Sequence, residues 1–313
     1  MVPKSLAHLT NLTTLDLSYN NVVGEIPREI ATSKKIQGLA LAYNKLNGTI
    51  PPELGDLSSL VKMNLTGNRL HGKIPDTIGK LNGLSHLDVS NNELSGELPR
   101  SLANLVNIVG LYVQQNRLSG GIAGLLSKST VWHQIETLNL SLNSFSGEIP
   151  RSLANLSCLT YLDLHSNEFT GAIALELGSL SHLIYLDISD NYLTGVVPDE
   201  LCDLMDLNFF NLSDNLLEGA IPEGGGCSNF TASSFVRNKG VCGNLIGHNC
   251  NLSPKQQPHL LRTGVIIGIT IGSTLFVLYL IFALVKWKML KQEASPKVDE
   301  KRKLNPAIEP KVD

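Results

Sequence analysis

The chain has 313 residues, a formal net charge of −3, and 42% hydrophobic but only 5% aromatic residues. A balance this close to neutral offers no basic face, so nucleic acid is excluded as a partner. Five cysteines are too few for a disulfide-built scaffold, but Cys227, Cys242 and Cys250 crowd one short stretch, as a stapled cap in an oxidising compartment would.

From the N-terminus, Met1 to Thr10 (MVPKSLAHLT) holds no apolar run long enough for a signal-peptide core. A repeat is already running at Leu9. Its phrase LxxLxLxxN is read as LTTLDLSYN ending at Asn20, then IQGLALAYN at Asn44, LVKMNLTGN at Asn68, LSHLDVSNN at Asn92 and IVGLYVQQN at Asn116. IETLNLSLN at Asn143, LTYLDLHSN at Asn167, LIYLDISDN at Asn191 and LNFFNLSDN at Asn215 complete nine copies. The Asn-to-Asn interval is 24 residues throughout, except 27 between Asn116 and Asn143. No polar cover precedes the first copy, so a bare apolar edge is expected there, as in the later part of a longer protein or an incomplete gene model.

Such a period specifies a solenoid. Alternating L-x-L turns leucines inward and the intervening residues outward on a short strand. One coil cannot bury its apolar side alone, so coils stack into a continuous core. The recurrent Asn turns the chain after the strand, and its amide can both donate to and accept from buried backbone groups. These asparagines are therefore structural, not ligand contacts.

A second phrase follows each Asn: VVGEIP, LNGTIP, LHGKIP, LSGELP, FSGEIP, LTGVVP and LEGAIP. It resembles the LxGxIP pattern of plant-specific leucine-rich repeats, in which Gly supplies an unusual backbone angle, Pro ends the extended segment, and the phrase builds a second strand beside the first. SGGIAG near Ile122 and TGAIAL near Ile173 lack the Pro. The long copy holds its extra residues in Lys128–Gln134 (KSTVWHQ), expected to bulge on the convex side with Trp132 packed and His133 facing solvent. The fold class expected is thus an α/β-type solenoid of about nine coils, with short parallel strands on the concave face, over residues 1–222.

Residues 223–255 read as a C-terminal cap. Cys202 and Cys227 are 25 residues apart, almost one coil, so they should sit side by side and pair. Cys242 and Cys250 are close enough to bridge within the cap. Cys158 is left over and expected to be a small buried residue. Gly224–Gly226 read as a linker. With no CxxC pair or Cys/His cluster, neither metal nor cofactor is expected. Sequons at Asn11, Asn47, Asn64, Asn139, Asn155, Asn211 and Asn229 are expected to carry glycans, and Asn251, before Ser253-Pro254, to be used poorly.

After a short juxtamembrane stretch (256–262), Thr263–Val285 is an uncharged run of 23 residues, long enough for one transmembrane helix, for which about 20 suffice. Lys286, Lys288 and Lys291 follow it, and only Arg262 flanks the other side closely. Positive-inside logic puts the tail, 286–313, in the cytosol and the repeats outside, in a single-pass plasma-membrane protein. Gly264, Gly268 and Gly272 space out two overlapping GxxxG motifs, a possible helix-pairing face. The tail carries no Gly-rich phosphate loop, HRD-type loop or DFG, so kinase chemistry is not expected of this chain.

Taken together, YVQQNRLSGGIAGLLSKSTVWHQIETLNLSLN, the LCDLMDL to GGGCSNF cysteine pair, GNLIGHNC before the span and DEKRKLNPAIEP in the tail resemble the EXCESS MICROSPOROCYTES type of plant leucine-rich-repeat receptor kinase. NKGVCG is similar to that class's cap. The resemblance implies an outside repeat domain that recognises a secreted peptide or small cysteine-rich protein. It also implies a co-receptor kinase of the somatic-embryogenesis type, and a Ser/Thr kinase that this chain lacks along with the N-terminal repeats. A kinase-less receptor-like protein or decoy that signals through partners is the alternative.

Candidate contacts lie between the strand leucines. Six places before the Asn, the column ends in Tyr161, Tyr185 and Phe209, an aromatic ladder on adjacent coils and a favoured type of interface hot spot. Simple cross-strand stacking is the competing role. Tyr112, Asp163, His165 and Asp187 are expected near it, with His165 beside Asp163 a candidate pH-dependent contact.

Overall fold

In the computed structural model, residues 1–126 and 132–250 are described; Ala7, Ser228 and Asn229 are described in backbone only. Nine three-residue strands, from Thr14–Asp16 to Phe209–Asn211, form one parallel sheet whose spatial order follows the sequence. A second parallel sheet of eight strands runs along the LxGxIP phrases and finishes on Gly240–Cys242 of the cap, while Val23–Glu25 and Lys45–Asn47 pair separately. Each repeat is thus one coil with a strand on either side of its turn.

The third side of each coil differs from the α/β expectation: the described residues contain no α-helix. Five-residue 3-10 helices such as Pro52–Asp56, Asp76–Lys80 and Arg151–Asn155 fill it. The proline of the second phrase sets an extended backbone just before most of them, with φ between −62° and −72° from Pro27 to Pro198. A 24-residue coil that spends residues on two strands and two turns leaves room for only about one tight turn. These helices also stack closely: a Cβ added at Gly55 would stand 2.2 Å from the Thr77 carbonyl oxygen of the next coil.

Inside, the inward leucines, isoleucines and phenylalanines merge into one continuous core, with Leu54, Leu87, Leu162 and Leu212 fully buried. The first coil is looser: Leu12 and Leu17 are only partly buried, and Leu9 is exposed. Trp132 fills a core position, its indole N–H donating to the Leu102 carbonyl at 3.0 Å, and His133 faces solvent. Cys158, in contrast, is exposed. In Leu156-Ser157-Cys158-Leu159 the register turns both leucines inward, and that register outweighs the preference of a free thiol for burial.

The asparagine column holds the stack together. Asn167 donates to the carbonyl of Leu140 on the preceding coil at 3.1 Å, and to Leu164 and His165 on its own. Its Oδ1 accepts the Phe145 N–H of the preceding coil at 2.9 Å. Asn143 makes the same bonds to Val113 and Leu118 across the long repeat, so the ladder continues unbroken; residues 127–131, where most of the expected bulge falls, lie outside the described residues. The residue before each Asn lies in the left-handed region, from Tyr19 (φ 55°) to Asp214 (φ 56°). The glycines of the second phrase do too, with φ of 78–86° from Gly24 to Gly219.

At the C-terminal end Asn238 extends the ladder by one more member, bonded to Leu212 and Phe235, with the Leu217 N–H donating to it. The cap is therefore a degenerate tenth coil. Cys202–Cys227 and Cys242–Cys250 are bonded, with Cα separations of 4.8 and 5.0 Å. Gly224–Gly226 form no loose linker: Gly225–Asn229 is a 3-10 helix, and a Cβ at Gly226 would meet the Leu204 carbonyl oxygen at 2.8 Å. No helix among the described residues is long and apolar enough to cross a membrane; the expected span 263–285, the tail and Asn251 lie outside them.

Candidate ligand-binding face

On the nine-stranded face, parallel pairing puts Tyr161 opposite Tyr185 and Tyr185 opposite Phe209. Their rings stack with centroids 4.2 and 4.3 Å apart and planes within 11° and 6°. Tyr161 and Tyr185 are half-buried and Phe209 is 42% exposed. The rings cover one another's faces and present their edges, so the ladder both supports the sheet and leaves an apolar, polarisable strip in solvent. Burial, with the carboxylate of Asp163 adding to it, pushes both phenols above their usual range.

Asp163 and Asp187 sit two places further along and are almost fully buried. Asp163 Oδ1 accepts the His165 N–H at 3.2 Å, and Asp187 Oδ1 accepts the Ser189 N–H at 3.0 Å. Asp16, Asn64, Asp88, Asn139 and Asn211 make the same bond to the residue two places on. This column is a local turn motif; its carboxylates shape the face and set its charge from beneath. His165 Nδ1 lies 2.7 Å from Asp163 Oδ1. That hydrogen bond raises the imidazole above its usual value against the opposing effect of burial, with the charges of Asp163, Asp187 and Asp190 assisting.

Asp163, His165 and Asp187 offer ligand atoms within 4.8 Å of one another, the one set of three such groups among the described residues that could gather a metal ion. Their facing oxygens are already engaged by His165, Ser189 and Asn211. The arrangement is accounted for by hydrogen bonds within the protein.

Tyr112 lies on the same sheet, opposite Asn139, which in turn faces Asp163. Gly110 has no Cβ, and the Tyr112 ring folds over it, so that a Cβ there would meet Tyr112 Cε2 at 2.6 Å and His86 at 3.2 Å. The Tyr112 ring lies along its own strand, two strands before Tyr161–Asp163 in the sheet, whereas the ladder occupies the last three strands. A second stack, Tyr19 on Tyr43 with centroids 4.7 Å apart, is an unforeseen feature of the first coils. Its signal was the tyrosine directly before Asn20 and Asn44.

Of the sequons, Asn11, Asn47 and Asn155 are exposed, Asn64 and Asn211 half-buried on the nine-stranded face, and Asn139 buried. A hollow of about 700 Å³ lies elsewhere, beside Ala172, Ala174 and Glu200 where the copy TGAIAL lacks its Pro. Its lining carries Glu148, Arg151, Glu176, Asp199 and Glu200, with Arg151 paired to Glu176 at 3.5 Å.

Two models of the leucine-rich repeat match residues 10–118 and, in three further copies, 134–204, together more than half of the chain. None of the curated proteins compared with it matches. Among solved structures, the ectodomain of the Arabidopsis thaliana membrane receptor kinase GASSHO1/SCHENGEN3, in complex with CASPARIAN STRIP INTEGRITY FACTOR 2, superposes with a TM-score of 0.74 at 35% identity, over 80% of this chain and 29% of that one. The Arabidopsis receptor kinase HAESA, in complex with the peptide hormone IDA and the co-receptor SERK1, gives 0.63 at 34% identity over 78% and 44%. A plant ice-binding protein gives 0.69 at 28% identity, over 80% of both chains. The chain spans less than half the length of the receptor chains it matches. It belongs to the leucine-rich-repeat proteins, with a repeat domain built like the ectodomains of plant membrane receptor kinases.

Proposed function

We propose that this chain is the ligand-recognition and membrane-anchor portion of a plant leucine-rich-repeat receptor kinase of the EXCESS MICROSPOROCYTES type. It takes a secreted peptide or small cysteine-rich protein on its nine-stranded face and pairs with a co-receptor kinase of the somatic-embryogenesis type, itself contributing no catalysis. The observation that carries this reading is the ladder Tyr161–Tyr185–Phe209, an aromatic strip left open to solvent on a fold shared with peptide-bound receptor ectodomains. Exposed aromatics of this kind dominate the energetics of protein interfaces. The span 263–285 supplies the anchor, and exposed Asn11, Asn47 and Asn155 are the sequons best placed to carry glycan.

The test has two arms. An immunoblot of native plant membranes after glycan removal separates a larger receptor, well above 33.9 kDa, from a kinase-less protein of that size, which is the alternative reading. Capture of secreted plant proteins on the chain, compared with the variant Tyr161→Ala/Tyr185→Ala/Phe209→Ala, tests the face: capture is expected to fall at least about tenfold, while circular dichroism shows the array still folded. Unchanged capture by a folded variant defeats the assignment of the ladder. The ice-binding protein's match over 80% of both chains supports a second reading, and a thermal-hysteresis measurement decides it.

A further inference from the structure

The stack of three rings ends abruptly. Six places before Asn238, where a fourth ring would stand, the sequence has Ala232, and the segment Ala232–Phe235 is a 3-10 helix rather than a tenth strand of this sheet. Beside Phe209 there is instead a cavity of about 310 Å³, walled by Phe210 and Phe230 and rimmed by Asn208, Ser213, Thr231 and Ser233. One wall is aromatic and the rim is hydroxyl and amide, groups able to accept hydrogen bonds.

The electrostatics of the surrounding coils are one-sided. Asp187 is buried, and its carboxylate is bonded only to neutral groups, Ser189 and Asn211. Asp190 is exposed and accepts from the Ser166 hydroxyl. Among the described residues, the cations that pair with acids of these last coils are His165, on Asp163, Arg151, on Glu176, and Arg237, on Asp214 at 2.8 Å. Asp187 and Asp190 make no direct ion pair there, His165 being the cation whose charge they feel, and a buried carboxylate held by neutral donors projects its field into the space above it.

An aromatic face at the end of a stack, polar acceptors around it and carboxylates on the preceding coil describe the complement of a guanidinium. Arginine is planar and weakly hydrated, stacks on aromatic rings, and presents five donors; lysine offers charge without a plane. We infer that this cavity is a subsite for an arginine side chain of the secreted partner, whose guanidinium lies on Phe209 as the fourth member of the ladder. This rests on the reading of the nine-stranded face as the ligand-binding face and adds the chemistry of what binds there.

The experiment is fluorescence anisotropy of the full 313-residue chain in detergent micelles, at physiological salt. The probes are labelled hexa-arginine, hexalysine and a neutral tryptophan–glycine hexapeptide. Hexa-arginine is expected to bind at least about fivefold tighter than hexalysine, the difference a stacked cation contributes. Phe209→Leu, which keeps apolar volume but removes the ring, is expected to abolish most of that preference and leave hexalysine unchanged. Asp190→Asn is expected to weaken both cationic peptides together. Equal binding of the two cationic peptides, stronger binding of the tryptophan peptide, or an arginine preference that survives Phe209→Leu would overturn the inference. If Phe209→Leu fails to fold, the comparison of the three peptides on the unmodified chain decides alone. A ladder variant that loses capture of secreted proteins, on a chain with no arginine preference, sinks this subsite and leaves the recognition reading standing. An arginine preference on a chain that captures nothing supports the subsite and removes the receptor reading.

Discussion

Replacing Asn167 by Leu isolates what the asparagine ladder contributes. The side chain is 7% exposed and makes four bonds: three donated to carbonyls of Leu140, Leu164 and His165, and one accepted from the Phe145 N–H. Leucine occupies similar space but leaves that N–H buried without an acceptor. One orphaned buried donor costs roughly 1–3 kcal/mol, and the three carbonyls lose a donor each, so a total of about 3 kcal/mol is expected. In a solenoid the loss falls on the interface between neighbouring coils rather than on the whole array. Native-state hydrogen exchange should therefore show the Phe145 amide exchanging about 100-fold faster, since each 1.4 kcal/mol is a factor of ten. Asn20 is the internal control, because it is exposed and, among the described residues, its side chain bonds only to Leu17 and Ser18 of its own coil. Asn20→Leu should cost about 1 kcal/mol or less. Equal effects at the two positions, or no local acceleration at Phe145, would refute the idea that cross-coil bonding is the asparagine's role.

The Asp163–His165 contact gives a pH dependence of definite sign. The folded imidazole is raised above its ordinary 6.5 by the Asp163 hydrogen bond, so its contribution is complete below that value and fades as pH rises through the higher folded one. Urea melts of the native protein and His165→Asn should then differ most at acid pH and converge in mild alkali; a difference that grows with pH contradicts this sign. Cys202→Ser/Cys227→Ser opens a 25-residue link and should lower stability by about 3 kcal/mol. Limited proteolysis should show the loss concentrated at the last coil and cap, and uniform destabilisation would point elsewhere. Glycopeptide mass spectrometry should find Asn47 and Asn155 occupied and Asn139 empty, because Asn139 is buried with its oxygen bonded to Ser141; glycan on Asn139 would mean that this turn opens.

Much of this fold is legible in the sequence because a fixed period carries it. The inward leucines, the turn glycines and the Cys202–Cys227 neighbourhood all follow once the 24-residue spacing is seen. Where residue preference and register disagree, register wins, which is why Cys158 ends up outside. Asn238 escapes because its interval from Asn215 shortens to 23 residues and Phe230 and Phe235 replace the usual leucines. The site is harder to read. A column shows that Tyr161, Tyr185 and Phe209 meet, but not that the Tyr112 ring lies over Gly110, since that depends on the missing Cβ there. Asp163 and Asp187 are engaged by side-chain bonds to their own backbone turn, and alternation along a strand carries no sign of it.

The long repeat bears on how such a protein changes length. Leu126 and Trp132 are both buried on either side of the insert, and Asn143 still reaches Val113 and Leu118 as its fellows do on shorter coils. Thr137–Asn139 keeps its in-register pairing with Gly110–Tyr112 and with Tyr161–Asp163. Material can therefore be spliced in between Leu126 and Trp132 without shifting the tyrosine rungs. An epitope tag or a fluorescent label added there is expected to leave the pairing of the nine-stranded face unchanged.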